Sequence, residues 1–263
     1  MNAPASKRIQ LQFENLPLIE AAVRVTFAEE HGLTLDLGSQ MIDRLKPGFT
    51  KLDLAPNIEA PPGISVNAVM ASPAHMPLGL VLTGNETGIS LKLQRQLIAA
   101  RWELQLGGTP PPYPRYAALR DSLLNAIEAI RSCQTTSRIA VVNMLYVNFI
   151  KTESPDGQCV SSYLSEKVRP LAIANAERVQ QALGAWRDQD GIDVRFDFRH
   201  ATATIDDDAV DGFRLVTAAG IMLPEGADHV PHVDLVHDRL QVLFRDIISK
   251  DAKLEWGYSE ATA

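Results

Sequence analysis

Val23, Val25 and Phe27 alternate with Arg24 and Thr26, the period of two that belongs to a strand with one buried face. Together with the apolar residues before them, they predict a first strand over 17–27. The period then changes. Leu37, Met41, Ile42 and Leu45 recur at helical spacing and meet Pro47-Gly48, which predicts a short helix with a sharp stop. Five short strand candidates follow at 50–58, 64–70, 79–82, 88–93 and 97–106, separated by proline, glycine and polar turns. Gly84 and Gly88 bracket a hairpin turn between two of them, because glycine supplies the positive φ that tight turns need. Past Pro110-Pro111-Pro112, the stripe Tyr116, Leu119, Leu123, Ile127 and Ile130 predicts a long amphipathic helix over 114–132.

The second half repeats that order. A β-branched run at 139–151 reads as a strand buried on at least one face, and 162–183 reads as largely helical with a break at Pro170. Ile192, Val194, Phe196 and Phe198 then alternate cleanly with Asp193, Arg195, Asp197 and Arg199. A further strand lies in FRLVTAAGIML, and a second long helix over 234–249 carries Val236, Leu240, Leu243, Phe244 and Ile247 inward. Aligned with the first long helix, it pairs Leu123 with Leu240, Ile127 with Phe244 and Ile130 with Ile247, a match that amphipathic helices also produce by chance. The repeated element order points to duplication. The expected fold is α+β with two similar halves, 11–133 and 134–257, each a curved antiparallel sheet with a short and a long helix, as in TATA-binding-protein-like or helix-grip folds. Residues 1–10 and 258–263 are expected to be tails.

Composition changes this picture little. With 46% hydrophobic and 22% charged residues the chain has ample core material. A net charge of -7 gives no global attraction to nucleic acid or anionic membrane. Lys7-Arg8 is not followed by an apolar run, and no stretch is long enough for a membrane helix, so a cytoplasmic location is expected. Cys133 and Cys159 have no zinc-type spacing and read as reduced thiols.

Several segments resemble a sporadically distributed bacterial family whose members have about this length. They are the opening Pro17-Leu18-Ile19-Glu20-Ala21, the helix entry at Tyr113 and Tyr116, and the strand Leu145-Tyr146-Val147-Asn148-Phe149-Ile150. The closing Phe244-Arg245-Asp246-Ile247-Ile248 and Glu255-Trp256-Gly257 complete the set. The family pattern often has arginine before the mid-chain tyrosine; Leu145 stands there in this chain, so any role of that arginine does not carry over. The resemblance implies a bacterial origin and a variable gene context such as defence or mobile-element loci. It implies no activity.

Three sets of residues offer chemistry. Asp228, His229, His232, Asp234, His237 and Asp238 crowd eleven positions, and imidazole with carboxylate suits zinc, iron or manganese. A metal set of His229, His232, Asp234 and His237 could serve a hydrolase. Yet no HExxH spacing is present and Pro231 interrupts the cluster, so Asp234 is expected as a helix N-cap and Asp238 as a complement to the helix dipole. Asn143 and Asn148 point to opposite faces of their strand, and the buried one needs partners for its amide. Glu20 is expected to pair with Arg24. Arg95, Arg101, Arg115, Arg120 and Arg138 could form a phosphate-binding surface with Trp102 as a stacking platform, weakened by Glu86, Glu103 and Asp121. Tyr146 joins Arg95, Arg101, Trp102, Arg115, Asn143 and Asn148 as a binding candidate.

There is no nucleophile elbow, phosphate loop or dinucleotide fingerprint, and no cofactor is implied. The favoured expectation is a non-enzymatic module that binds another protein or a second copy of itself, within a bacterial accessory system such as phage defence or toxin–antitoxin. A nucleic-acid-binding module and a metal-dependent hydrolase are the alternatives.

Overall fold

The computed structural model describes residues 9–12, 17–56, 78–84, 87–104, 112–152, 163–168, 181–205 and 208–262. The opening alternation becomes strand β2 (Leu18–Phe27), preceded by a short β1 (Ile9–Gln12) and followed by helix α1 (Leu35–Leu45). Thr34 begins α1 by accepting a hydrogen bond from the Leu37 amide at 3.1 Å, which satisfies one of the open donors of the first turn. Then come β3 (Lys51–Pro56), β4 (Leu78–Thr83), β5 (Ile89–Leu93) and β6 (Leu97–Glu103), and α2 (Arg115–Cys133). The second part holds β7 (Ile139–Lys151), β8 (Gln181–Arg187), β9 (Asp193–Ile205), β10 (Asp208–Met222), α3 (Val230–Ile247), α4 (Lys250–Glu255) and β11 (Ser259–Thr262).

Nine of these strands form one antiparallel sheet in the order β3-β4-β5-β6-β2-β7-β10-β9-β8. The sheet runs unbroken across the expected boundary at 133/134, because β2 pairs with β7 from Leu18 opposite Asn148 to Phe27 opposite Ile139. Residues directly opposite one another share a face, so register alone defines two surfaces. One row of the first surface is Trp102, Ala21, Tyr146, Thr217 and Phe196, and the next is Ala100, Val23, Met144, Ala219 and Val194. All ten are buried. Over this surface α2 lies against β6, β2 and β5, and α3 against β10 and β7, each through the stripe its sequence predicted. Phe196 opposes Gly184 on β8, and its ring occupies the space a Cβ there would need, with Cε1 2.4 Å from that position.

The sequence differs from the structure in three places. Residues 181–183 close the expected helix 162–183, but they begin β8, which β9 holds along its whole length. Helix α3 starts at Val230, four residues before expectation, and accommodates Pro231 in its first turn, where proline's missing N–H costs nothing. The expected tails meet as a two-stranded sheet, Ile9 opposite Thr262 and Gln12 opposite Ser259. The strand candidate at 64–70, the break at Pro170 and Cys159 lie outside the described residues. Among the described residues no helix is long and apolar enough to cross a membrane.

His31 lies buried with its ring edge-on to Phe27, 5.1 Å between centroids, and neither ring nitrogen has a hydrogen-bond partner. Burial lowers its pKa below the ordinary imidazole value, and Glu30 opposes this only in part. His229 is lowered in the same direction, first by burial and then by Arg131. The unfolded chain therefore takes up protons more readily than the native one, so stability is full above the unfolded histidine range and falls as pH drops through it. Urea midpoints measured on both sides of that range should show the loss, and His31→Phe should flatten part of it. An unchanged slope in the variant would remove His31 from the account.

Candidate functional site

The second surface of the sheet differs in every row. Arg24, Asn143, Gly220, Asp193 and Arg187 stand side by side across β2, β7, β10, β9 and β8. The next row is Arg101, Ala22, Leu145, Ala218 and Arg195, followed by Glu103, Glu20, Val147, Val216 and Asp197. Phe149, Arg214 and Arg199 form the last. Six arginines thus share a surface of a chain whose net charge is negative. Carboxylates hold several of them in place. Arg101 donates from Nε to Glu20 at 2.8 Å and also approaches Glu103 at 3.1 Å. Arg199 lies 3.7 Å from Asp197, and Arg187 donates to both oxygens of Asp193 at 2.7 Å. Burial beside Arg199 lowers the pKa of Arg214.

A cavity of about 560 Å³ opens on this surface and crosses five strands, from Arg24 on β2 to Arg187 on β8. Arg195 and Asn143 contribute polar groups, while Val141, Leu145 and Met222 supply apolar wall. Met222 is 70% exposed at the rim, and Trp186 on β8 is 44% exposed. Gly220 makes the floor possible: a Cβ there would sit 2.1 Å from Oδ1 of Asn143, so only glycine lets the amide lie flat across the neighbouring strand.

A separate polar cluster joins the two long helices on the buried side. Asp234 on α3 accepts from Tyr116 Oη at 2.8 Å and from Arg120 at 2.8 Å (Nε) and 3.2 Å (Nη2), which ties α3 to α2. The His237 ring stacks on Tyr116 with 3.6 Å between centroids and 7° between planes. Burial and then the Asp234 carboxylate raise the Tyr116 phenol, and burial pushes Tyr113 up to about 12. Tyr146 lies beneath, near Tyr113 and Gln241, its pKa raised by burial.

The binding candidates of the sequence therefore disperse. Arg101 and Asn143 reach the open surface, but Trp102 is buried on the helix side against Tyr113, so it offers no stacking platform. Tyr146 and Asn148 are buried there as well, and neither amide atom of Asn148 has a hydrogen-bond partner. Arg95 sits near Glu30 at 3.4 Å, and Arg138 donates to the Leu223 carbonyl. Arg115 is exposed at the start of α2 with a positive φ of 72°. Glu20 bonds Arg101 rather than supplying the expected partner for Arg24.

The metal candidates also separate. Asp234 lies inside α3 and is engaged by Arg120; the N-cap is His229, and Asp228 Oδ1 accepts from the Val230 amide at 3.0 Å. His232 approaches the Asp228 carbonyl through Nδ1, and His237 faces Tyr116. Among the described residues no three His, Cys, Asp or Glu side chains are grouped to hold a metal ion. The residues the sequence reading passed over are Arg24, Arg187, Arg195 and Gly220. The alternation in DVRFDFRH put Arg195 and Arg199 on one face, but their meeting with Arg24 and Asn143 depends on strand order.

No family model matches the chain, and no curated protein matches it. A solved structure described as KH domains aligns at 9% identity and a TM-score of 0.22, covering 94% of this chain and 66% of the other. The chain thus spans just under two thirds of that structure's length.

Proposed function

We propose that the protein is a non-enzymatic interaction module that receives a segment of another protein on the open surface of its sheet. The observation that carries this reading is the cavity crossing five strands, where guanidinium groups, an amide and an apolar wall alternate. Such mixed lining suits polypeptide, whose own side chains alternate between polar and apolar. The family resemblance supports a role in a bacterial accessory system, of the phage-defence or toxin–antitoxin kind, and a cytoplasmic location is part of the same reading. The arrangement of β2 with β6, β5 and β4 on one side, and β7 with β10, β9 and β8 on the other, each followed by a long helix, supports a TATA-binding-protein-like duplication about the β2–β7 pair.

A photo-crosslinking residue in place of Met222, at the cavity rim, is expected to capture one defined protein in the producing cell. The same residue in place of Leu254, exposed on α4, is expected to capture none. Equal capture from both positions, or none from Met222, would count against the reading. The six arginines favour a second reading, in which the same surface binds nucleic acid through phosphate contacts. Retention of DNA or RNA on filters at low salt, lost as salt rises, would support it.

A further inference from the structure

The outer strands of the nine-stranded sheet are β3 and β8, and each pairs with a single described strand. An outer strand offers a row of N–H and C=O groups to any chain that can lie beside it. β3 carries features that keep such a row from being used. Lys51 and Asp53 stand exposed on it, and Pro56 at its end has no N–H to give. β8 carries none of these. Its seven residues, Gln181–Arg187, include no proline, carboxylate or lysine, and they match β9 residue for residue without a bulge. Its single charge, Arg187, is taken up by both oxygens of Asp193.

The residues of β8 are also complementary to themselves. When two copies run antiparallel about a two-fold axis at Gly184, Gly184 faces Gly184, Leu183 faces Ala185, Ala182 faces Trp186 and Gln181 faces Arg187. Each large apolar residue meets a small one, no charge meets a like charge, and the whole strand is used. An axis at Leu183 would set leucine against leucine and leave Trp186 and Arg187 without a facing residue in the strand. An axis at Ala185 would set Leu183 against Arg187. Leu183 is 65% exposed on the open surface, opposite Asp197 on β9, and Trp186 is exposed on the other side. Pairing about Gly184 gives both apolar side chains a neighbour in place of water.

We infer that two copies of this chain associate through β8 in that register, joining their sheets edge to edge. The consequence reaches the cavity, whose β8 end is formed by Ala185, Trp186 and Arg187. Leu183 of the partner subunit stands directly beside Ala185 on the same surface, so each copy lends the other an apolar side chain at the outer end of its cavity. The pairing rests on the strand alone, and its effect on ligand rests on the interaction reading above.

Sedimentation equilibrium of the full chain tests the pairing and should show a dimer that dissociates on dilution. Leu183→Lys with Ala185→Lys sets lysine against lysine on both sides of the axis and should raise the dissociation constant about a hundredfold or more. Leu183→Lys with Ala185→Asp sets each lysine against an aspartate and should restore the dimer. Both positions are exposed, and circular dichroism checks that each variant is folded. A chain that stays monomeric at every concentration would overturn the inference, as would a dimer untouched by the two lysines. Loss of the dimer in both variants would overturn the register. A monomer that still captures its protein at Met222 would sink the pairing yet leave the interaction surface standing.

Discussion

Replacing Phe213 with alanine is expected to lower the unfolding free energy by about 3–5 kcal/mol, the range for deleting a large aromatic side chain from a packed core. Phe213 is fully buried and stacks on Phe198 with 4.8 Å between centroids and 17° between planes. It belongs to β10, which pairs with β7 on one side and β9 on the other, so the hole would open where three strands meet and relaxation of one strand is resisted by the next two. Phe213→Leu, which keeps much of the volume, should cost about 1–1.5 kcal/mol. Urea unfolding followed by circular dichroism decides the matter through the midpoint at unchanged slope. A loss below about 1.5 kcal/mol for the alanine variant would mean that the site collapses freely.

Asp234→Ala should cost about 2–3 kcal/mol. The carboxylate is nearly buried and holds both Arg120 and the Tyr116 hydroxyl, and its removal strands a cation and a phenol between two helices. The figure lies below the ~3–5 kcal/mol of fully buried pairs, because about a quarter of the Arg120 side chain remains in contact with water. Asp234→Asn, which keeps an acceptor for Tyr116, should cost less. The double variant Arg120→Ala with Asp234→Ala should be more stable than the sum of the single losses implies. A cost under about 1 kcal/mol would place the pair among surface salt bridges.

Local periodicity made much of this fold legible. The run at 139–151 coincides with β7, the alternation from Asp193 gives β9, and the stripe from Tyr116 to Ile130 gives α2. The failures have physical causes. Gln181, Ala182 and Leu183 are good helix formers, and β8 exists because β9 pairs with it, a non-local fact. The paired ends β1 and β11 are about as far apart in sequence as the chain allows. The start of α3 was displaced by treating Pro231 as a barrier when it occupies the one turn that accepts it.

The open surface shows the same division. Arg101, Trp102 and Glu103 are consecutive in a strand, so Trp102 had to face away from both neighbours, and its burial could have been inferred. The cavity was beyond local reasoning. Arg24, Asn143, Gly220 and Arg187 come from four strands with no common sequence signature, brought together by the order β2-β7-β10-β9-β8.

That order also lays the cavity across the β2–β7 seam, since its lining includes Arg24 of β2 and Arg195 of β9. A bound segment would act as a brace across the line where the two parts of the chain meet. Occupancy would then be felt as resistance of the whole sheet to opening, rising with ligand concentration as mass action requires, and limited proteolysis would report it far from the cavity.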